Sequence, residues 1–318
     1  MSTETKNVLT DFDDAIRIFR TERLSRNGCG NKEFKLEENL QQLRAKGART
    51  VLTFGGVWSN HLHAFALACE RHQLNAVAAV RGEEGATNEL LQNAEKHGLR
   101  VHYLSRADYR LRDQLSFIES LCKQLSVDEY LPEGGSNLTA VNSCRQIAAL
   151  VNKYSEDLPT HIVLAVGTGA TMAGIVMGAK MQQKIIGVPV VQDTGIEDRI
   201  RSWLNLASHS NIANWHLLNT AMPARYGKVD NALLQFALDV HQQTGVVLDP
   251  IYNAKAFRSL LQSGVAAAGA GTDNKIVFVH TGGLGGCLGL ADKFRRFCDP
   301  AQVEGYMGDA RSLLQLQG

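Results

Sequence analysis

Three segments of this chain share one local pattern: a short apolar run, a loop that contains glycine, and then a helical pattern. They cover residues 53–60, 166–174 and 280–286. Glycine lets several backbone N–H groups converge, and the positive end of the following helix favours an anion. Glycine also serves simply to reverse a chain, so any one of these loops is weak evidence for a site. The middle loop is the strongest phosphate candidate, because Thr168 and Thr171 add hydroxyl donors.

Short β-branched or apolar runs alternate with longer helical patterns along the chain, which is typical of βαβ units and parallel sheets. No internal repeat and no Pro/Ser-rich linker separates two halves. The sequence therefore predicts an α/β fold of two interleaved domains, each a largely parallel twisted sheet flanked by helices, with a boundary near 130–133. The predicted strands are Arg49–Phe54, Asn75–Val80, Arg100–Leu104, His161–Val166, Lys184–Val191 and Lys275–His280. The predicted helices between them include Ser59–His72, Thr87–His97 and Thr171–Met181.

The composition excludes several classes of protein. Lys and Arg total 33 against 32 Asp and Glu, so the chain has neither the basic surface of a nucleic-acid-binding protein nor an acidic tail. The six cysteines form no CxxC pair and are expected to be reduced thiols. No apolar stretch reaches the ~18 residues of a membrane span, and the first residues lack the apolar core of a signal peptide. These features predict a cytoplasmic enzyme that binds neither nucleic acid nor membrane.

Known phosphate-binding motifs that are missing from these loops limit which phosphate compound the chain can bind. No loop contains the Gly-Lys-Ser/Thr of a P-loop, which excludes that class of kinase and ATPase. A dinucleotide loop needs a third glycine where this chain has Met172, although Gly167 and Gly169 match and Asp193 could bind a ribose. A nicotinamide-dependent oxidoreductase therefore stays open as a distant alternative. The remaining possibility is a single phosphate on a cofactor such as pyridoxal phosphate, which also requires a reactive lysine.

A lysine in a specific context lies near the N-terminus. The segment GNKEFKLE at residues 30–37 resembles the GNK-x-[RK]-KLE signature of the family of 1-aminocyclopropane-1-carboxylate (ACC) deaminase and D-cysteine desulfhydrase. Five further segments resemble motifs of that family in the same order: GGVWSNH at 55–61, PEGGSN at 132–137, the loop at 167–174, LDPIY at 248–252 and HTGG at 280–283. The resemblance implies pyridoxal phosphate as cofactor and the tryptophan-synthase-β-like fold, called fold type II. It also implies a smaller α/β domain over 36–131 and a larger cofactor-binding domain formed by 1–35 and 132–318.

The resemblance assigns roles to individual residues. Lys32 matches the lysine that holds the cofactor aldehyde and moves the proton of the substrate Cα. Ser59 matches a residue that meets the substrate carboxylate, with a proposed role in proton transfer or attack; capping a helix is the structural alternative. Tyr226 and Tyr252 match two tyrosines that approach the substrate and the cofactor ring. The implied catalytic residues are thus Lys32, Ser59, Tyr226 and Tyr252, and the implied cofactor-binding residues are Lys32, Asn60, Gly167, Thr168, Gly169, Ala170, Thr171, Tyr252, Asn253 and Thr281.

Two positions bear on the substrate. The ACC deaminase pattern has Glu and Leu where this chain has Asn253 and Thr281. A carboxylate beside the pyridine nitrogen would keep it protonated, whereas Asn and Thr can only hydrogen-bond to it. We therefore expect α,β-elimination from D-cysteine, which gives pyruvate, ammonia and hydrogen sulfide, rather than opening of the cyclopropane ring. ACC deaminase activity and a non-catalytic pyridoxal-phosphate-binding relative stay open as alternatives, and the resemblance implies a homodimer.

His61 and His63 form an H-x-H pattern, and His72 follows on the same predicted helix. Residues at i and i+2 do not share a helix face, and no third ligand stands at a suitable spacing. The sequence therefore predicts no metal site.

Overall fold

The computed structural model describes residues 8–209, 212, 214–218, 228–265 and 275–316. The chain divides into two compact units, each with its own sheet. The first unit is formed by the described parts of Met1–Asn31 and Val141–Gln317, and the second by Lys32–Ala140. The chain thus leaves the first unit just before Lys32 and returns to it at Val141. The predicted domain limits at residues 36 and 131 stay a prediction.

The strands of the two sheets are short and mostly buried. In chain order they are β1 (Leu9–Asp11), β2 (Ile16–Arg20), β3 (Thr50–Gly56), β4 (Asn75–Arg81), β5 (Leu99–Leu104), β6 (Glu129–Tyr130), β7 (His161–Val166), β8 (Lys184–Pro189), β9 (Trp215–Leu217) and β10 (Ile276–His280). The first unit holds the sheet β1-β2-β10-β7-β8-β9, and the second holds β5-β4-β3-β6. Every neighbouring pair is parallel except β1 with β2.

Helices connect these strands, as parallel pairing requires. They are α1 (Thr21–Leu24), α2 (Asn31–Ala45), α3 (Asn60–Arg71), α4 (Glu89–Lys96), α5 (Arg106–Tyr109), α6 (Leu115–Leu125), α7 (Leu138–Tyr154), α8 (Ala170–Gly178), α9 (Ile196–Leu206), α10 (Asn231–Thr244), α11 (Asn253–Gln262), α12 (Gly285–Leu288), α13 (Ala291–Phe297) and α14 (Pro300–Leu314). No helix among the described residues is long and apolar enough to cross a bilayer.

Burial explains why the central strands are easy to recognise. The β7 segment, HIVLAV, is buried over five consecutive residues, as a strand covered on both faces requires. In the second unit, Leu52, Phe54 and Val77 form a core with Ile118 and Leu121 of α6. The predicted α/β fold with largely parallel sheets flanked by helices is confirmed.

Candidate functional site

In the first unit, two loops meet at the carboxyl edge of the sheet. Strands β7 and β10 are parallel neighbours with Leu164 opposite Val279, so the loops that follow them, 167–169 and 281–283, lie side by side. Ligands in α/β proteins bind at this edge of the sheet. Topology therefore brings together two of the loops that the sequence marks as candidate sites.

The loop after β7 leads into the N-terminus of α8. Gly169 is the N-cap with a φ of 88°, and Ala170 and Thr171 form the first turn of the helix. Asn31 Nδ2 donates to Thr171 Oγ1 (2.9 Å), which leaves the Thr171 hydroxyl able to donate to a ligand. Thr168, the residue before this N-cap, is exposed. These donors and the helix terminus suit a phosphate.

Tyr252 lies next to the same loop. A Cβ added to Gly167 would be 3.5 Å from Tyr252 Cε1, so the tyrosine ring borders the start of the loop. Tyr252 is half-buried, and its backbone N–H donates to Asp249 Oδ1 (2.8 Å). Tyr226, the other predicted tyrosine, lies outside the described residues.

The segment before Lys32 touches the loop after β10. Asn31 N donates to the carbonyl oxygen of Thr281 (3.0 Å), and the backbones of Gly30 and Gly282 are in direct contact. Gly30 has a φ of 59°, and a Cβ there would lie 2.4 Å from the carbonyl oxygen of Thr281. Glycine at position 30, directly before α2, is therefore a packing requirement.

We expect Gly30→Ala to lower the free energy of unfolding by at least ~2 kcal/mol, because left-handed backbone strain adds to the overlap with Thr281. Gly47→Ala is the matched control: its φ is 93°, but nothing lies within 4 Å of the added Cβ. The control should lose only about 1 kcal/mol. Urea unfolding of both variants measures the difference. Equal losses in the free energy of unfolding would show that the close contact with Thr281 does not make Gly30→Ala more destabilising.

Asn253, Thr281 and Asp249 form a buried chain of hydrogen bonds in the first unit, which we call the Asp249–Asn253–Thr281 chain. Asn253 Nδ2 donates to Asp249 Oδ2 (2.6 Å), and Asn253 Oδ1 accepts from Thr281 N (3.1 Å) and Oγ1 (3.2 Å). Burial raises the pKa of Asp249, and its hydrogen bonds with the backbone of Asn253 and Tyr252 oppose that shift. The amide of Asn253 is thus occupied within the protein, whereas the hydroxyl oxygen of Thr281 can still accept a hydrogen bond from a ligand.

The second unit carries Lys32, Ser59 and Asn60, each at the start of a helix. Lys32 is the second residue of α2, and Ser59 caps α3, its Oγ accepting from Leu62 N (3.4 Å). Asn60 is the first residue of α3. Ser59 therefore caps α3, and the N-terminus of this helix is also suited to bind a carboxylate.

His61 is a buried histidine of the second unit, 3% exposed. The Thr53 hydroxyl donates to the carbonyl oxygen of Leu131 (3.0 Å), so it accepts from His61 Nε2–H (2.8 Å). This leaves His61 Nδ1 as a buried lone pair without a partner among the described residues. Burial, and then the charges of Lys32 and Lys35, lower the pKa of His61 to about 3, so the ring is neutral.

The other histidines of the H-x-H pattern are used elsewhere. His63 Nε2 lies 2.8 Å from Asn93 Oδ1, and burial lowers its pKa to about 4. His72 Nε2 lies 3.1 Å from Glu37 Oε1. Within the described ranges, no group of three or more His, Cys, Asp or Glu side chains could hold a metal ion. Asp193, the candidate ribose ligand, accepts from Arg199 Nη1 (2.7 Å) and Gly195 N (3.0 Å).

A buried ion pair stands directly before the loop at 281–283. Glu22 Oε2 lies 2.7 Å from His280 Nδ1, and Glu22 Oε1 accepts from Arg20 Nε (2.7 Å). His280 Nε2 donates to the carbonyl oxygen of Val247 (2.9 Å). Glu22 is not among the residues predicted from the sequence, although charged residues at the end of an apolar strand pattern (IRIFRTE, IVFVHT) are a signal for such a pair.

These residues fit pyridoxal phosphate. The N-terminus of α8, with the hydroxyls of Thr168 and Thr171, matches the phosphate, and Thr281 offers a buried polar atom for the ring nitrogen. Lys32, in the second unit, has the primary amine that attachment of an aldehyde requires.

Comparison with known proteins agrees with this geometry. The family model described as "Pyridoxal-phosphate dependent enzyme" matches residues 17–282. The chain is 30% identical over 290 residues to the bifunctional D-cysteine desulfhydrase/ACC deaminase of Arabidopsis thaliana, covering 83% of this chain and 70% of that protein. It is 26% identical over 274 residues to the D-cysteine desulfhydrase of Klebsiella pneumoniae, covering 80% of this chain and 82% of that one.

Solved structures give the same result. The structure of an ACC deaminase homologue, 27% identical, matches with a TM-score of 0.76 over 89% of this chain and 88% of that one. Threonine deaminase isoform 2 from Solanum lycopersicum, at 14% identity and a TM-score of 0.63, covers 96% of this chain and 85% of that one and shares the fold. The match to the family model and the 30% identity to the Arabidopsis protein show that this chain belongs to the pyridoxal-phosphate dependent enzymes, in the family of D-cysteine desulfhydrase and ACC deaminase.

Proposed function

We propose that this enzyme catalyses α,β-elimination from a small amino acid, with D-cysteine as the preferred substrate. D-cysteine and water give pyruvate, ammonia and hydrogen sulfide. When bound, pyridoxal phosphate supplies an electron sink for the electron pair that remains when the substrate Cα loses its proton. The protein has to bind and orient the substrate, remove that proton, and leave the thiolate free to depart.

Three groups of this chain are suited to those tasks. The amine of Lys32 would hold the cofactor aldehyde and would take the proton from the substrate Cα. The N-terminus of α3, with Ser59 and Asn60, binds the substrate carboxylate. Tyr252 borders the phosphate-binding loop and is suited to contact the cofactor, and we propose Tyr226 as a second tyrosine that approaches the substrate.

The preference for D-cysteine rests on one observation, the hydrogen bond between Thr281 Oγ1 and Asn253 Oδ1. A neutral pair stands where the ACC deaminase pattern has a glutamate and a leucine. Without a carboxylate at the ring nitrogen the electron sink is weaker, which favours a substrate with a good leaving group. Thiolate is such a group, whereas opening a cyclopropane ring requires breaking a carbon–carbon bond.

Keto-acid release from D-cysteine, L-cysteine, D-serine and ACC tests this proposal. We expect D-cysteine to give equal amounts of pyruvate and sulfide, with a kcat/KM at least ~10-fold above that for ACC, or about 1.4 kcal/mol in activation free energy. Faster formation of 2-oxobutanoate from ACC would favour the second candidate, an ACC deaminase. Product from none of the four compounds would favour a non-catalytic relative.

The cellular setting is part of the proposal. The six cysteines, which form no CxxC pair and are expected to be reduced thiols, support a cytoplasmic enzyme, and the family resemblance supports a homodimer. The family match is to pyridoxal-phosphate enzymes, and Asp193 is engaged with Arg199, so the nicotinamide-dependent alternative loses its support.

A further inference from the structure

The ring of His61 has one nitrogen that is engaged and one that is not. His61 is the second residue of α3, and its side chain is buried. Nε2 donates to the Thr53 hydroxyl (2.8 Å), whereas Nδ1 finds no hydrogen-bond partner in the described part of the chain. A buried acceptor without a donor is unfavourable and rare in native proteins. Nδ1 therefore indicates a donor that reaches this nitrogen in only some states of the protein.

The Nδ1 edge of the ring faces the first turns of α2, within the second unit. A Cβ added to Gly135 would lie 3.8 Å from His61 Nδ1 and 3.7 Å from Leu36 Cδ2, so both side chains border the same turn. Lys32 lies one helical turn before Leu36 and shares its face of α2. The unpartnered nitrogen is therefore directed towards the part of α2 that carries Lys32.

Two lysines of α2 lie near this edge, and one of them is held by the turn at 134–136. Lys35 Nζ donates to the carbonyl oxygen of Gly134 (3.0 Å) and to Ser136 Oγ (2.9 Å). Burial, and next the charges of the two lysines, lower the pKa of His61 to about 3. The ring therefore stays neutral beside these cations, and Nδ1 can accept a hydrogen bond but does not take a proton. Lys32 is the donor that suits it.

A fixed acceptor beside Lys32 is useful to the reaction. In the proposed function the amine of Lys32 takes the proton from the substrate Cα, so a C–H bond breaks, an N–H bond forms, and the electron pair stays with Cα. The amine has to direct its lone pair at that proton, and it becomes an ammonium group with three N–H donors. An acceptor that binds one N–H orients the lone pair and stabilises the charge that forms.

We propose that His61 Nδ1 accepts a hydrogen bond from the free amine of Lys32 and that His61 is thereby the positioning residue for the base of the reaction. The role in the reaction rests on the proposed function, whereas the contact between the two side chains does not. The proton of the substrate stays on Lys32 throughout, and His61 remains neutral.

Nitrogen-15 NMR of the full-length chain, with labelled histidine rings and no cofactor bound, tests the contact without turnover. His61→Gln removes one ring from the spectrum and so assigns the His61 signals. We expect the proton on Nε2 and none on Nδ1. Lys32→Met keeps the length of the side chain but removes the charged donor, so the Nδ1 signal should move downfield.

Lys46→Met is the matched control, because Lys46 is an exposed lysine just after the same helix, and the Nδ1 signal should not move. A wild-type ring with its proton on Nδ1 would overturn the inference. An Nδ1 signal that does not change in Lys32→Met would overturn it as well.

Two substitutions of His61 separate the roles of its two nitrogens. The amide of glutamine reaches the position of Nε2, so His61→Gln keeps the contact with Thr53 and loses the acceptor at Nδ1. The amide of asparagine reaches the position of Nδ1, so His61→Asn keeps an acceptor there and loses the contact with Thr53. We expect kcat for keto-acid formation to be at least ~10-fold lower in His61→Gln, because a hydrogen bond to a charged group is lost, with similar KM values.

Stability should show the opposite order, since His61→Asn loses the buried bond to Thr53, and urea unfolding measures it. A purely structural role would make kcat follow stability, and that result, or equal kcat values, would overturn the inference. His63 offers a matched pair, because it is buried on the same helix with Nε2 2.8 Å from Asn93 Oδ1. His63→Gln and His63→Asn should have similar kcat values.

The proposed function fails by a different measurement. Borohydride reduction followed by peptide mass spectrometry shows whether the cofactor is attached to Lys32. Attachment at Lys32, together with an Nδ1 signal that does not respond to Lys32→Met, overturns only the inference. No attachment at Lys32 overturns the proposed function and the role of His61 in the reaction, and the NMR result still decides whether His61 contacts Lys32.

Discussion

Lys32→Ala is expected to remove the covalent attachment of the cofactor and to lower kcat/KM for keto-acid formation by about 10³-fold or more. Lys32 is the second residue of α2, and its amine is the group that we assign to both attachment and proton transfer. Alanine favours the helix, so the fold should persist. A loss of activity would then be due to the missing amine and not to unfolding of the variant.

Absorbance spectra and keto-acid assays of the wild type and three variants test this assignment. The purified wild type should show a visible absorbance band that borohydride bleaches, and Lys32→Ala should lack the band. Lys32→Arg keeps the positive charge but provides no amine for the aldehyde, so it should fail in the same way. Lys46→Ala, at an exposed lysine just after the same helix, is the matched control and should leave band and activity unchanged.

A borohydride-sensitive band that persists in Lys32→Ala would show that the cofactor is attached at another residue and would contradict the assignment. So would a Lys32→Arg variant with wild-type turnover. Either result would leave the family membership of the chain intact, because that rests on the match over residues 17–282 and not on one side chain.

Short stretches of sequence predict some strands and helix ends correctly. The strand at 161–166 has the predicted limits, and α3 begins one residue after the predicted N-cap, Ser59. These features depend on burial and capping, whose signals lie within a few residues. The candidate loops at 167–174 and 280–286 were visible for the same reason.

The parts that sequence reasoning missed depend on contacts between distant residues. Pairing of β2 with β10 brings Arg20 opposite His280, some 260 positions along the chain, and only this pairing joins Glu22 to His280. The family resemblance predicts that Asn253 contacts the cofactor directly, and this stays a prediction. Its amide is already engaged by Asp249, Gly282 and Thr281, a fact that no local pattern contains.

The same buried ion pair gives the prediction with the largest effect on stability. Glu22→Gln keeps the shape of the side chain but removes the charge that faces His280 and Arg20, both of which are buried. Breaking a buried pair leaves the remaining charges uncompensated, so we expect a loss of about 3–5 kcal/mol in the free energy of unfolding. Glu83→Gln, at an exposed glutamate, is the control and should change stability by less than ~0.5 kcal/mol.

The pH dependence distinguishes a charge effect from a packing effect. Burial acts to raise the pKa of Glu22, but His280 and Arg20 outweigh it and lower that pKa from 4.5 to about 2, so its contribution is fully present above pH 4.5 and is lost as the pH falls towards 2. The pKa of His280 is raised from 6.5: burial opposes the shift, and Glu22 outweighs burial. The contribution of His280 is therefore fully present below pH 6.5 and is lost as the pH rises through the raised value.

The stability difference between wild type and Glu22→Gln should therefore be largest between pH 4.5 and 6.5 and should shrink on either side. Urea unfolding across this range measures that difference. A difference that does not vary with pH would mean that Glu22 acts through its shape. A difference that is absent at every pH would mean that the Glu22–His280 pair does not stabilise the fold, although it lies directly before the loop that carries Thr281.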